Sequence, residues 1–113
     1  MHNLFVYGIL KDGTGRVAWV RGDLFDLGGC PGVRRVDDPR AAWVKGELHE
    51  VDDPLLAHFD RVEGSPHLYR RIRARVFDEK DGNHFADAWI YEFNREPDSD
   101  MRCGDEWPRR GYE

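Results

Sequence analysis

The sequence predicts an α+β fold, with a small, mixed, barrel-like β-sheet of about five to six strands and one main helix. Short runs of apolar and β-branched residues, bounded by glycine, proline or aspartate, recur along most of the chain and are typical of strands. One segment, from 53 to 64, instead carries apolar residues at helical spacing. Gly22 and Gly46 lie at equivalent places in two predicted strands. They indicate a bulge or a close approach of two backbones, as in a curved sheet.

The predicted strands are short segments separated by turn-forming residues. They cover residues 4–7, about 18–27, 43–51, 69–76 and 85–93, with a loop at 11–15 and turns at 28–32 and 81–83. The segments AWVRGDLFDL and AWVKGELHEV resemble each other, and we interpret them as two strands under the same amphipathic constraint rather than as a duplication. The segment 94–113 is polar and is predicted to be a mostly irregular tail. We expect residues 1–113 to form a single domain.

The single predicted helix has recognisable start and stop signals. Asp53 is placed to cap it, and Pro54 suits a first helical position. Gly64 is a natural C-terminal stop, and the following Ser65 and Pro66 prevent continuation. The apolar stripe between these signals consists of Leu55, Leu56, Phe59 and Val62.

Bulk composition excludes several classes of function. The net charge of -5 argues against general nucleic-acid affinity, and no apolar run is long enough to span a membrane. The N-terminal residues lack the features of a signal peptide, so a cytoplasmic location is expected. Cys30 and Cys103 do not form a CxxC motif and are interpreted as free thiols.

The charged clusters give little sign of a specific site. Arginines lie at 70, 71, 73 and 75, and from 71 onward they alternate with apolar residues, which favours a solvated strand face over a strip for phosphates or RNA. The five histidines show no HxH or HExxH spacing, so no metal site is predicted. No nucleotide-binding loop and no GxSxG motif is present, and no cofactor is expected.

Glu63 has two interpretations. It lies in the last turn of the predicted helix, where the negative end of the helix dipole disfavours a carboxylate. That position, with partial burial, would raise its pKa and suit it to proton transfer near neutral pH. The alternative is an exposed surface glutamate that tolerates its site, and on spacing alone this alternative is favoured.

Two separated motifs resemble a known family. LFVYGILKDG, at 4–13, is similar to the "(L/V)FVYGTLxxG" signature of the gamma-glutamylcyclotransferase-like superfamily. FDRVEGSPHLYRR, at 59–71, resembles the "LDxxEGxxxxYxR" signature of that superfamily. GDLFDLGGCPGV, VKGELHEV and AWIYEF match its less specific strand patterns in the same order. The resemblance is to small bacterial and phage-type members of that superfamily.

The resemblance implies an intramolecular acyl transfer that releases 5-oxoproline and an amine from a gamma-glutamyl amide or peptide. It assigns Glu63 as general base and then general acid. It assigns the Tyr7-Gly8-Ile9-Leu10 turn to the substrate carboxylate, and it makes Tyr69, Arg71 and Tyr91 candidates to shape the pocket. For these last three residues a core or surface role is as probable on the residues alone. The implied partner is a small-molecule substrate, with no nucleic acid and no membrane, for a monomer or homodimer without cofactor or metal.

Two departures from the family pattern bear on activity. Ile9 stands where the family usually has Thr or Ser, and the stretch after Leu10 is short where the family commonly has a helix. The pocket is therefore expected to be open, small, or completed by a second subunit. The alternative function is a non-catalytic binding or regulatory domain that keeps the fold.

Overall fold

The computed structural model describes residues 1–8, 10–65, 67–80 and 82–107, with the side chain of Phe85 excepted. Six strands and one α-helix account for its regular structure, together with a short 3-10 turn at Ser99–Met101. The elements in chain order are β1 His2–Val6, β2 Arg16–Asp26, β3 Pro31–Arg35, β4 Trp43–Val51, α1 Asp53–Val62, β5 Tyr69–Phe77 and β6 His84–Phe93.

Five of the strands form a closed ring, which confirms the predicted barrel-like α+β fold. β4 pairs antiparallel with β1 and β2, and β5 pairs antiparallel with β6. Two short contacts complete the ring: Leu4 of β1 pairs with Trp89 of β6, and Trp19 of β2 pairs with Phe77 of β5. β3 is an additional strand that pairs with the second half of β2 and meets β6 at Val33 and Glu92.

The extra strand β3 was not among the predicted segments. It begins at Pro31, inside the segment interpreted as a turn, and contains Gly32. Both residues disfavour a strand assignment because proline has no backbone donor and glycine has no side chain to pack. The pairing with β2 overrides these local preferences.

Gly46 and Gly22 lie where two backbones approach closely, as predicted for a curved sheet. A Cβ at Gly46 would be 2.4 Å from the Val6 carbonyl oxygen and 2.6 Å from Cζ of Phe5. A Cβ at Gly22 would be 2.8 Å from the Arg34 carbonyl oxygen. The absence of a side chain at these positions lets β4 and β2 pack tightly against their neighbours.

The buried side chains form two clusters on the two faces of the sheet. One fills the barrel and includes Phe5, Val20, Leu24, Val44, Val76 and Ile90. The other lies between the sheet and α1 and includes Leu4, Val6, Val51, Leu56, Tyr69 and Tyr91. Tyr7 belongs to the first cluster and Tyr69 and Tyr91 to the second, so the end of β1 lies where both clusters meet.

The helix is capped one residue earlier than predicted. Asp52, not Asp53, accepts a hydrogen bond from the Leu55 N–H at 2.9 Å, while Asp53 is already the first helical residue. The two aspartates are adjacent and both can cap a helix, so only the backbone geometry distinguishes them. The C-terminal stop is as predicted, since Gly64 has a positive φ of 65°. Of the predicted apolar stripe, Leu56 is buried, whereas Leu55 and Val62 are exposed.

Replacing Asp52 with alanine is expected to lower the free energy of unfolding by about 1 kcal/mol, because the Leu55 N–H loses its acceptor. Thermal unfolding should show this as a loss of about 4 °C in Tm. Asp52→Asn keeps an acceptor oxygen and should retain most of the stability. An alanine variant as stable as the asparagine variant would show that the cap contributes nothing.

The C-terminal segment packs onto the barrel although it has little regular structure in its described part. The Cys103 N–H donates to the Leu24 carbonyl at 3.0 Å, and the side chains of Cys103 and Trp107 are buried. Cys30 and Cys103 are both free, as predicted. In the described part of the chain, no helix is long and apolar enough to cross a membrane. The assignment of 1–113 to a single domain stays a prediction.

Candidate functional site

A cavity of about 160 Å³ opens where β1 ends, β3 begins and α1 terminates. Six of the eight site residues named from the sequence line it: Tyr7, Gly8, Leu10, Glu63, Tyr69 and Tyr91. Ile9 lies outside the described residues, and Arg71 is not part of the lining. The structure therefore brings the two sequence motifs together around one space.

Glu63 terminates α1 and contributes the one carboxylate among the described lining residues. Its backbone N–H donates to the Phe59 carbonyl at 2.9 Å, which fixes the residue at the end of a rigid element. Burial raises the pKa of the Glu63 carboxyl above its ordinary value. A carboxyl with a raised pKa exchanges protons more readily near neutral pH than a fully solvated one.

Tyr7 is a buried wall of the cavity whose hydroxyl is fully engaged. It donates to the Tyr91 carbonyl at 2.6 Å and accepts from the Val33 N–H at 3.2 Å. Burial, with a contribution from the charge of Glu63, raises the pKa of Tyr7 well above its ordinary value. The phenol therefore stays neutral, and its hydrogen bonds tie the residue after β1 to β3 and β6.

Tyr69 and Tyr91 complete the aromatic lining. The Tyr69 hydroxyl donates to the Pro31 carbonyl at 2.7 Å. Burial is the main reason that the pKa of both phenols is raised, and the charge of Glu63 contributes to both. Glu63 thus lies close enough to Tyr7, Tyr69 and Tyr91 to affect the ionisation of each.

Arg71, a candidate to shape the pocket, contacts residues outside the cavity lining. Its Nε donates to Asp60 Oδ1 at 2.9 Å, and its guanidinium stacks on Trp89, 4.4 Å from the ring centroid. The same Asp60 oxygen accepts the Tyr91 hydroxyl at 2.8 Å. The outward face of β5 carries Arg71 onto α1, so it positions Tyr91 through Asp60.

Replacing Asp60 with alanine is expected to cost about 2 kcal/mol of unfolding free energy, because Tyr91 and Arg71 lose a shared acceptor. Urea denaturation measures this loss. Asp78, an exposed residue after β5, provides a matched control. Asp78→Ala should change stability by no more than about 0.5 kcal/mol. Equal effects of the two substitutions would contradict the positioning role of Asp60.

The turn after β1 supplies backbone donors at the cavity. Within the described residues, the amide N–H groups of Gly8 and Leu10 have no hydrogen-bond partner, while the Lys11 N–H donates to the Gly8 carbonyl at 3.0 Å. A Cβ at Gly8 would lie 2.6 Å from Cγ of Pro31, so this position needs glycine. Free amide donors in a turn form a favourable site for an anion such as a carboxylate.

Several lining residues were not identified from the sequence. Cys30, Pro31, Val62 and Leu68 all line the cavity. Val62 and Leu68 flank the Glu63-Gly64 pair in sequence, which is the signal that could have found them. Cys30 directly precedes the unpredicted strand β3 and Pro31 begins it, and no local pattern marks them as site residues.

The arginines of β5 make structural contacts, which fits the solvated-face interpretation better than an RNA-binding strip. Arg70 pairs with the buried Glu92 at 2.8 Å, and Arg73 lies 4.8 Å from the Trp89 ring centroid. Asp12, Glu47 and His49 also form a cluster, which sequence spacing did not indicate. Glu47 accepts the Gly13 N–H at 3.1 Å and lies 3.0 Å from His49 Nε2, so these contacts order the loop before β2.

A larger cavity of about 480 Å³ lies elsewhere, between β2, β5 and the segment after β3. Its charged lining residues have opposite signs: Arg21, Arg35, Arg75, Asp37 and Asp38. None of the candidate site residues that the structure describes lines it. The smaller cavity around Glu63 is the candidate site because it combines a carboxyl of raised pKa with the Gly8 and Leu10 amides, which have no partner among the described residues.

The fold and this cavity define a class of protein: a small β-barrel domain with a half-buried carboxyl among tyrosines at the end of its helix. The chain belongs to the "Gamma-glutamyl cyclotransferase, AIG2-like" family, whose model matches residues 4–109. Family membership agrees with the resemblance found in the two sequence motifs.

A curated relative and several solved structures are similar to this chain. One relative is the Gamma-L-glutamyl-butirosin B gamma-glutamyl cyclotransferase of Niallia circulans. It is 32% identical in an alignment of 124 residues that covers 93% of this chain and 75% of the relative. An AIG2-like protein of Mus musculus has a TM-score of 0.69 at 22% identity, with 89% of this chain and 82% of that chain covered. An Arabidopsis thaliana protein has a TM-score of 0.68 at 25% identity, with 88% and 73% covered.

Proposed function

We propose that this protein is a gamma-glutamyl cyclotransferase that converts a gamma-glutamyl amide or peptide into 5-oxoproline and a free amine. The observation that carries the proposal is the placement of Glu63, a carboxyl of raised pKa, in the cavity lined by the Gly8 and Leu10 turn. The family and the name of the Niallia circulans relative support the same reaction class.

The proposed reaction uses a nucleophile that the substrate itself carries. The α-amine nitrogen attacks the γ-carbonyl carbon, and Glu63 accepts the proton that this nitrogen loses. The resulting tetrahedral intermediate breaks its bond to the departing amine nitrogen, to which Glu63 returns the proton. One C–N bond forms and one breaks, so the protein has only to hold the chain in a cyclising conformation and move one proton.

The cavity accounts for substrate positioning. The amide donors of Gly8 and Leu10, which are free among the described residues, bind the α-carboxylate of the glutamyl group. Tyr69 and Tyr91 form the walls beside it, and Asp60 and Arg71 hold Tyr91 in place. A volume of about 160 Å³ is below that of sites for drug-sized ligands. It suits the glutamyl group alone, so the departing amine extends toward solvent.

The test is product analysis with a panel of gamma-glutamyl amides and peptides. Cyclotransfer predicts equal amounts of 5-oxoproline and free amine, without glutamate. Glutamate in place of 5-oxoproline would indicate hydrolysis and contradict the proposed reaction. Tight binding of these compounds without any product would instead support the non-catalytic binding domain.

A further inference from the structure

Two large apolar side chains, one before and one after Glu63 in sequence, are about half exposed to solvent. Val62 is 52% exposed and Leu68 is 50% exposed, and both line the candidate cavity. Leu10 and Cys30 also line it, and these four residues are called the rim of the cavity below. Exposed apolar residues grouped at a cavity indicate a surface that another apolar group covers.

Two cationic side chains near this cavity are bound elsewhere. No lysine, arginine, histidine or aspartate is found among the described lining residues. Lys11, which follows Leu10, directs its ammonium to the Trp107 carbonyl. Arg71 is held by Asp60 at 2.9 Å. Beyond Glu63 itself, the described rim therefore has no carboxylate for a cationic amine and no cation for an acidic one.

We propose that the departing amine of the substrate carries an apolar group, such as an alkyl or aryl chain, that packs on Val62 and Leu68. This inference rests on the proposed cyclotransferase function and specifies its substrate class. The glutamyl group occupies the cavity, and the first carbons beyond the scissile amide lie on the apolar rim. Polycationic amines, by contrast, would place charges against Val62 and Leu68 without a partner.

The experiment compares 5-oxoproline release from the methyl, ethyl, n-butyl and benzyl amides of gamma-glutamate. The matched polar compound is the 4-aminobutyl amide, which has the butyl length and a terminal ammonium. We expect kcat/KM to rise by about fourfold for each methylene group that the rim covers. The butyl amide should exceed the aminobutyl amide by about tenfold. Equal values, or a preference for the aminobutyl amide, would overturn the inference.

Substitutions at the rim test whether the preference for apolar amides arises from contacts with Val62 and Leu68. Leu68→Asn and, separately, Val62→Asn should lower the ratio of kcat/KM between the butyl and methyl amides by about threefold or more. Leu55 provides the control because it is also exposed, at 40%, and lies on the same helix outside the cavity lining. Leu55→Asn should leave both rates and their ratio unchanged. A ratio that neither rim variant alters would contradict the proposed contact.

The outcomes separate this inference from the proposed function. Release of 5-oxoproline with no dependence on chain length would reject the apolar substrate class and leave the reaction standing. Absence of 5-oxoproline from every amide would reject the reaction and, with it, this inference. Sedimentation identifies a third outcome: a dimer that both rim variants convert into monomers would assign the rim to a second copy of the chain and overturn the proposal.

Discussion

Glu63→Gln is expected to reduce kcat for 5-oxoproline release by about 100- to 10,000-fold, the range typical for loss of a general acid or base. Glutamine keeps the size and hydrogen-bonding capacity of the side chain but neither accepts nor returns a proton. Substrate binding should change much less than kcat, since the α-carboxylate is proposed to bind the turn at Gly8 and Leu10. Steady-state kinetics with one gamma-glutamyl amide measures both quantities.

The control for this substitution is Glu50→Gln. Glu50 is an exposed residue of β4 outside the cavity, and its substitution should leave kcat and KM unchanged. Retention of wild-type turnover by Glu63→Gln would rule out Glu63 as the proton-transfer group. An equal loss in both variants would point to a general effect of the substitution on the fold.

The same variant should be more stable than the wild type at neutral pH. Burial raises the pKa of Glu63 above the ordinary value of 4.5, so the folded protein holds this proton more tightly than the unfolded chain. The free energy of unfolding of the wild type therefore falls, relative to Glu63→Gln, as pH rises from the ordinary value through the raised pKa. Urea unfolding of both proteins across this range measures the difference. A difference that is constant with pH would contradict the raised pKa.

Gly46→Ala is expected to destabilise the fold by about 3 kcal/mol or more, with a loss in Tm of about 10 °C or more. The added Cβ would lie 2.4 Å from the Val6 carbonyl oxygen, and backbone cannot move aside as a flexible side chain can. Moving β1 away would also disturb the turn that begins at Tyr7. Thermal and urea unfolding measure the effect on stability.

Gly13→Ala distinguishes this packing effect from a general cost of replacing glycine. Gly13 has a positive φ of 82° with no atom within 4 Å of an added Cβ, so its substitution should cost only about 1 kcal/mol. A similar loss at both positions would contradict the close approach of β4 and β1 at Gly46.

Much of the fold could be predicted because its elements carry their own local signals. β4 and β6 are bounded by turn residues and have strand composition, and α1 lies between Asp52 and Gly64 with clear start and stop signals. The strand β3 could not be predicted, since Pro31 and Gly32 oppose it locally and only the pairing with β2 and β6 stabilises it. The ring closure also depends on pairs distant in sequence, such as Leu4 and Trp89.

The sequence motifs predicted which residues lie near the candidate site. They did not predict roles that depend on the direction in which a side chain points. Tyr7 and Glu63 are in the motifs and line one cavity. Arg71 is also in a motif, but it contacts Asp60 rather than the cavity. The direction of that side chain follows from the packing of β5 against α1, which spacing along the chain does not reveal.

The most direct test of the account is the pH dependence of kcat/KM for 5-oxoproline release, set beside the pKa of Glu63 measured by carboxyl ¹³C NMR titration. We predict that the acidic limb of the rate profile has its midpoint at the pKa of the Glu63 carboxyl and that this pKa lies above the ordinary value of 4.5. A Glu63 carboxyl that titrates at its ordinary value, or a rate profile whose midpoint differs from it, would contradict the assignment of Glu63 as the general acid and base.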